Sequence, residues 1–358
     1  MTDQSESSEL VVENVRSGMV ESVHPVRAAV CDASGVLLAA SGDPLHPVWW
    51  RSAAKPFQAL PLVEDGAADA LGMTGEELAL ACASHSSEPR HREIAAGVLH
   101  RLGLTEGALA CGPHPPLGGA MLELVARGAE TVTPVWSNCS GKHAGMLALA
   151  KHHGWPLEGY ERAGHPVQER ILRSLLAWTG AEPSEIRLGV DGCTAVCFAL
   201  PLARMAAAYA RLGAGATPAA VRVRDAMLEH PTLIAGEGRP CTELMRAWPG
   251  EVIAKVGAEG VYSAALPRLG VGVALKVMSG NAPAAPLALV AIVRQLLARF
   301  APGLAAEFPA VRLDAYVAPV LRNTRGDATG VMRAAGGLRF LAPAGALRAT
   351  GSTSIGVS

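Results

Sequence analysis

Lysine is scarce in this chain of 358 residues. Of its 31 basic residues only five are lysines: Lys55, Lys142, Lys151, Lys255 and Lys276. Arginine serves wherever any cation will do, and it essentially never gives up its proton. A lysine desolvated in a pocket can do so, and then acts as a base or a ligand. Each lysine is therefore a candidate for a task arginine cannot perform, with Lys151 and Lys276 the two best read as surface residues. Other absences exclude whole classes of function. The formal net charge is −1 and no basic stripe with interleaved aromatics is present, which argues against a nucleic-acid partner. The opening "MTDQSESSEL" is polar and acidic, the reverse of the basic-then-apolar start of a secretory signal. The longest apolar run, "APAAPLALVAIV" before Arg294, is too short and too rich in proline to cross a bilayer. Seven scattered cysteines, an odd count, fit reduced thiols better than a disulfide framework. The expectation is a globular cytoplasmic protein with no membrane partner.

Half of the residues are hydrophobic, enough for a large core. Short β-like runs come first: "LVVENV", "MVESV", "VRAAVCD" and "GVLLAAS", with "DASG" as a hairpin turn between the last two. Helical patterns follow at 52–64, 75–82, 87–102, 118–127, 141–152, 165–178, 201–212, 218–229 and 283–299. Strand-like pieces return at "EVIAKVGA", "GVYSAAL", "GVGVALKV" and "VRLDAYV". This order predicts a mixed α/β fold, with a largely antiparallel sheet built from both chain ends and a helical region inserted across it. Residues 1–335 read as one unit, the ends spanning about 9–64 and 250–335 and the helical middle about 65–249. Residues 336–358, rich in Gly, Ala and Ser, read as a loosely ordered tail.

Four clusters carry chemistry. In "RSAAKP", Ser52 and Lys55 stand three apart at a helix start, so hydroxyl and amine share one face, and a neutral lysine there accepts the serine proton. The same residues also read as a helix cap beside a solvated lysine. In "CASHSSEPRHRE", Ser84, His85, Ser86 and Ser87 crowd a helix start where one serine suffices as a cap. Ser84 ends an apolar run, where site residues often project. "SNCSGKHAG" brings Cys139, Lys142 and His143 together, and "DGC" adds Asp191 and Cys193. Two thiolates with an amine or imidazole would suit zinc, although small buried cysteines account for the spacing equally well. In "AGEGRPCTELM", glycines flank Glu237 and Arg239, an arginine whose fork matches a carboxylate. Lys255 in "AKVG" lies in a strand pattern and resembles the Lys-Thr-Gly element of Ser-x-x-Lys enzymes, with valine for threonine.

Taken in order, "RSAAKP", "CASHSSE", "SNCSGKHAGMLA", "DGC", "AGEGR", "CTELM" and "KVGAEGVY" resemble the Rhizobium-type L-asparaginases, a family related in fold to serine β-lactamases and glutaminases. The likeness runs from about residue 10 to about 335. It implies hydrolysis of L-asparagine to L-aspartate and ammonia through a seryl acyl-enzyme. It also implies two Ser–Lys pairs, Ser52 with Lys55 and Ser84 with Lys255, and zinc held by Cys139, Lys142 and Cys193. Arg51, His143 and Asp191 match residues lining the site, and His85 and Arg239 join them as candidate substrate contacts. A homodimer is the implied assembly. The chain lacks the Thr-Gly-Gly-Thr type of signature of other bacterial asparaginases, so their threonine mechanism is not expected. Two rivals follow from the same residues: a penicillin-recognising acylase or peptidase, and a non-catalytic zinc-binding metabolite sensor.

Overall fold

The computed structural model describes residues 9–307 and 310–343. Twelve strands are present among them: β1 Val11–Arg16, β2 Met19–Asp32, β3 Leu37–Ser41, β4 Pro47–Trp49, β5 Arg187–Val190, β6 Val196–Pro201, β7 Ile253–Val256, β8 Val261–Leu266, β9 Val271–Val277, β10 Val320–Arg322, β11 Ala328–Ala335 and β12 Arg339–Phe340. Nine of them form one sheet in the order β10-β11-β1-β2-β9-β8-β7, with β3 added on β2 and β12 on β3. Every pairing between its strands is antiparallel. The two chain ends therefore meet in one sheet, as the pattern of strands and helices predicts.

"MVESV" and "VRAAVCD" form the single strand β2 of 14 residues. Pro25 sits where β2 exchanges partners, with β1 alongside the residues up to Pro25 and β9 alongside those after it. A missing N–H is tolerated at such a junction. The sheet is covered by α8 (Leu202–Gly213), which packs on β9, β2 and β8, and by α12 (Ala284–Phe300), which packs on β9, β8, β1 and β11. β9 is accordingly buried along nearly its whole length. The other helices are α1 Lys55–Glu64, α2 Ala67–Ala70, α3 Gly75–Ala81, α4 Pro89–Arg101, α5 Gly119–Ala126, α6 Ser140–His153, α7 Pro166–Thr179, α9 Pro218–Glu229, α10 Pro231–Ile234, α11 Pro240–Ala247 and α13 Pro302–Ala305. Among the described residues no helix is long and apolar enough to cross a membrane.

Three expectations change. The segment "VRLDAYV" is not a strand but the 3₁₀ stretch Ala310–Tyr316, which contacts α11. Its apolar residues alternate as in a strand, but the stretch kinks at Leu313 (φ −112°, ψ 17°), which is buried, and Tyr316 packs against the same core. The helical middle holds β5 and β6, which with β4 form a second sheet in the order β4-β6-β5. β6 is buried at all six residues, so no alternation distinguishes it from the helix that follows. In the tail expected from Gly336, Arg339 and Phe340 pair with Ala40 and Ala39 of β3. Residues 344–358 of that tail lie outside the described residues.

Candidate active site

Four segments converge where β7, the edge of the large sheet, meets the starts of α1 and α6. The first is a 3₁₀ turn, Arg51–Ala54, leading into α1. It is fixed by Trp50, which is fully buried, stacks on Phe57 with centroids 4.9 Å apart, and donates Nε1–H to Ser263 Oγ at 3.1 Å. Tyr209 on α8 donates its hydroxyl to the Ala53 carbonyl at 2.8 Å. The second is the loop Ser84–Ser87 between α3 and α4, anchored by Ser84 N–H on the Ile234 carbonyl at 2.9 Å. The third is the start of α6. Gly141 makes its close approach possible, because a Cβ there would lie 2.3 Å from the Leu80 carbonyl oxygen. The fourth is the loop before α11, where Gly236 at φ +123° lies so near Ser86 that a Cβ would come within 2.6 Å of its hydroxyl.

Three of the five lysines are shut from solvent: Lys55, Lys142 and Lys255. Lys151 is exposed, and Lys276 is partly buried with its amine on the Glu259 carbonyl. Lys55 Nζ donates to the carbonyls of Ala83 and, at 3.4 Å, Asn138, and lies 3.0 Å from Ser84 Oγ. Three acceptors match the three N–H groups of an ammonium. Lys255 Nζ, on β7, lies 2.8 Å from the same Ser84 Oγ and 2.9 Å from the Val256 carbonyl. Burial, and next the charge of Lys55, lower the pKa of Lys255 to about 7. Ser84 thus sits between a charged amine that donates to it and an amine able to be neutral and accept from it.

This differs from the expected hydrogen bond between Ser52 and Lys55. Among the described residues the Ser52 hydroxyl has no hydrogen-bond partner, and Ser52 is partly exposed. The reason lies in desolvation: a fully buried ammonium needs all three acceptors, and the interior carbonyls and Ser84 supply them.

The second lysine site is sulfur-rich. Lys142 Nζ lies 3.0 Å from Cys193 Sγ. Cys139, 5% exposed, lies beside both and contacts Asn138 Oδ1 at 3.2 Å. A hydrogen bond from Cys139, with Lys142 and His143 alongside, holds the Cys193 thiol far below its usual range, while the Cys139 thiol is held well above it. Burial opposes the charge on Lys142, but Cys193, Cys139 and Asp191 outweigh it and raise the lysine's pKa. Among the described residues no three His, Cys, Asp or Glu side chains are grouped to hold a metal, so a metal here needs Lys142 as its third donor. Two sulfurs and that amine do converge. The buried Nε2 of His143, next to them in the chain, has no hydrogen-bond partner among the described residues. This donor set fits a zinc ion.

The candidate substrate contacts divide into two groups. Arg51 Nε donates to Asp191 Oδ1 at 2.9 Å at the edge of the site, so these two charges already answer one another. Arg239 Nη1 donates to Ser86 Oγ at 3.0 Å, and no carboxylate lies within ion-pair distance of it among the described residues. His85 is fully buried, with Nδ1 accepting from Ser87 N–H at 3.2 Å and Nε2 on Ser140 Oγ at 2.9 Å. Both ring nitrogens are occupied within the protein, so His85 tethers the serine loop to α6 rather than facing a ligand. His143 is buried with Nδ1 2.7 Å from the Tyr160 hydroxyl. Motif reading passes over Cys241, and it gives no role to Ser86 or Asn138, whose hydroxyl and carbonyl meet Arg239 and Lys55. Cys241 accepts from Val256 N–H at 3.2 Å and from the Tyr262 hydroxyl at 3.1 Å, next to Lys255. Its place inside "GRPCTELM" was the available signal.

Backbone strain marks the same place. Of the five non-glycine residues at positive φ among the described residues, Arg51, Ser87, Thr194 and Glu259 (53°, 62°, 72° and 59°) each lie within four residues of a candidate site residue, and the fifth, Ser17, lies in the turn between β1 and β2. Such conformations cost roughly 1–3 kcal/mol each and persist where the surroundings enforce them.

An antiparallel sheet covered by helices, with serine hydroxyls beside buried lysine amines, is an arrangement chemically suited to cleaving amide-type bonds. The chain belongs to the L-asparaginase II family, whose model matches residues 12–334. Curated proteins yield no match. Among solved structures, one described as a "putative beta-lactamase" from Bacteroides dorei DSM 17855 aligns with a TM-score of 0.38 at 11% identity, covering 82% of this chain and 96% of that one. A likeness so distant adds nothing to the reading of the site.

Proposed function

We propose that the protein hydrolyses L-asparagine to L-aspartate and ammonia through an acyl-enzyme on Ser52. The observation that carries this reading is the placement of Ser84 Oγ 3.0 Å from Lys55 and 2.8 Å from Lys255. Ser84 passes its proton to the neutral Lys255 amine and takes one from Lys55, so Lys55 becomes neutral next to Ser52. Lys55 then accepts the Ser52 proton as the serine oxygen attacks the side-chain carboxamide. The proton returns to the nitrogen as the C–N bond breaks and ammonia leaves. Water cleaves the resulting β-aspartyl ester, and the proton it releases re-enters the same chain. Arg239, with no carboxylate partner among the described residues, receives the substrate α-carboxylate, and Asp191, whose Oδ1 holds Arg51, offers its Oδ2 to the α-amine.

Zinc belongs to this proposal as a resident ion on Cys139, Lys142 and Cys193, where it would supply fixed positive charge beside the site. Its binding requires Cys139 and Lys142 each to give up a proton. A β-lactam acylase and a zinc sensor have no observation in their favour that this reading lacks.

Ser84 is the other possible nucleophile, favoured by its hydrogen bonds to both amines. Its 3% exposure favours Ser52, which a substrate can reach. Ammonia release from L-asparagine by the parent, Ser52→Ala and Ser84→Ala tests the assignment, with acid-quenched peptides analysed by mass. Loss of roughly 10³-fold or more in Ser52→Ala, with the aspartyl adduct on the Ser52 peptide, is expected. Substantial turnover by Ser52→Ala, or an adduct on Ser84, removes Ser52 as nucleophile.

A further inference from the structure

His143 is completely buried, yet its Nε2 has no hydrogen-bond partner among the described residues. Buried polar nitrogens without partners are rare enough to need an explanation. The other side of the ring supplies it. Nδ1 lies 2.7 Å from the Tyr160 hydroxyl, and that hydroxyl accepts the Ala110 backbone N–H at 2.9 Å. Tyr160 is 1% exposed and has one hydroxyl proton. The backbone N–H can only donate, so the phenol oxygen is its acceptor. Among the described residues the only remaining place for the phenol proton is Nδ1 of His143. Nδ1 is then the ring's acceptor, and the ring's own proton lies on Nε2. Burial disfavours a charged ring, and the charge of the nearby Cys193 sulfur acts against that.

We infer that Tyr160 is a positioning residue that locks His143 in the Nε2–H tautomer, making His143 a hydrogen-bond donor toward Cys193 and not a ligand to a metal bound there. An imidazole nitrogen that carries a proton has no lone pair for a metal, so His143 stands behind the sulfur as a second layer of support. The Ala110 N–H fixes the direction of the whole chain, and the Ala110 carbonyl is itself held by the Thr194 hydroxyl at 2.9 Å, one residue from Cys193. Spacing alone favours the opposite assignment, since His143 is one residue from Lys142 and four from Cys139. The consequence for zinc rests on the metal proposed for Cys139, Lys142 and Cys193, while the tautomer itself does not.

The test is long-range ¹⁵N–¹H correlation of histidine side chains in the metal-free, ¹⁵N-histidine-labelled full chain, with the His143 signals assigned by their loss in His143→Asn. The expected pattern is a protonated, pyrrole-type Nε2 and a pyridine-type Nδ1. A protonated Nδ1 in the parent overturns the inference without any variant having to fold. Tyr160→Phe is expected to move the ring toward a mixture of tautomers, and an unchanged pattern in a folded Tyr160→Phe protein overturns the role of Tyr160. In the zinc-loaded parent, His143 Nε2 keeps its proton. A metal-shifted, deprotonated Nε2 makes His143 a ligand and overturns the inference. Chelator competition supplies the companion reading, with zinc affinity about 10- to 100-fold weaker in Tyr160→Phe. If zinc fails to bind the parent at all, the proposed metal site falls while the tautomer measurement stands, so the two readings fail separately.

Discussion

Lys255 and Lys142 are both shut away from solvent, and burial pushes both toward the neutral form, yet their surroundings drive them to opposite charge states. Lys255 faces Ser84 and a carbonyl, with the Lys55 ammonium as its main electrostatic neighbour, so its pKa falls to about 7. Lys142 faces the Cys193 sulfur at 3.0 Å, with Cys139 and Asp191 near, and its pKa rises. The difference teaches that burial alone does not make a lysine a base. At Lys255 burial is the larger cause and a second cation adds to it, whereas a thiolate beside Lys142 outweighs burial and makes that lysine half of an ion pair or a metal ligand. In a chain that uses arginine for general cationic duty, these are the two tasks for which arginine has no chemistry.

The comparison breaks first at Lys255. Lys255→Met is expected to lower kcat for ammonia release by on the order of 10³-fold with the circular dichroism spectrum unchanged, since the relay loses its neutral acceptor. Lys255→Arg is expected to be no better, because a guanidinium does not deprotonate at working pH. Activity within tenfold of the parent in either variant would remove Lys255 from proton transfer. At the sulfur site the larger effect is on stability. Cys193→Ala in the metal-free protein leaves Lys142 buried without its counter-charge, at a cost of about 3–5 kcal/mol in urea unfolding. The double variant Cys193→Ala with Lys142→Met is expected to recover a good part of that loss. Equal midpoints for single and double variants would mean that Lys142 and Cys193 do not act as a pair.

Much of this could be read before the fold was known, and the reasons for the rest are physical. Nine helical patterns fell within a few residues of α1, α3 to α9 and α12, because amphipathic periodicity and Thr or Pro starts are local signals. The lysine count picked out the three buried amines by chemistry alone, without any spacing rule. The small sheet escaped because β6 carries no alternation and β4 has only three residues. β11 escaped because "ATGVMRAA" has weak strand character and is held by its register against β1, a contact more than 300 residues away in the chain. The Lys55 partner was misjudged for the same reason. Ser52 is its neighbour in sequence, but Ala83, Ser84 and Asn138 are its neighbours in space. Tyr160, whose hydroxyl decides the His143 tautomer, lies in "GYERAG", which has no motif to announce it.

The smallest expected effect is the most direct measure of the contrast between the two lysines. With only five lysines in the chain, selective ¹³Cε labelling gives five resonances, which site variants assign. One of them, Lys255, is expected to titrate near pH 7 while Lys142 stays charged throughout the accessible range. Lys55→Met removes the neighbouring cation and is expected to move the Lys255 midpoint upward by about one unit. kcat/KM of the parent should follow the same group, rising with pH through about 7 to a plateau, because the neutral amine is the working form. The linkage to folding has a definite sign. Lys255 titrates near 7 when folded and near about 10.4 when unfolded, so between those values the unfolded chain binds the extra proton. The parent's stability therefore falls by up to about 1.4 kcal/mol per unit as pH drops from about 10 to about 7, a slope that Lys255→Met lacks. If the two proteins show the same slope in urea unfolding at pH 7 and pH 9.5, Lys255 is not the neutral amine, and the relay through Ser84 has no acceptor.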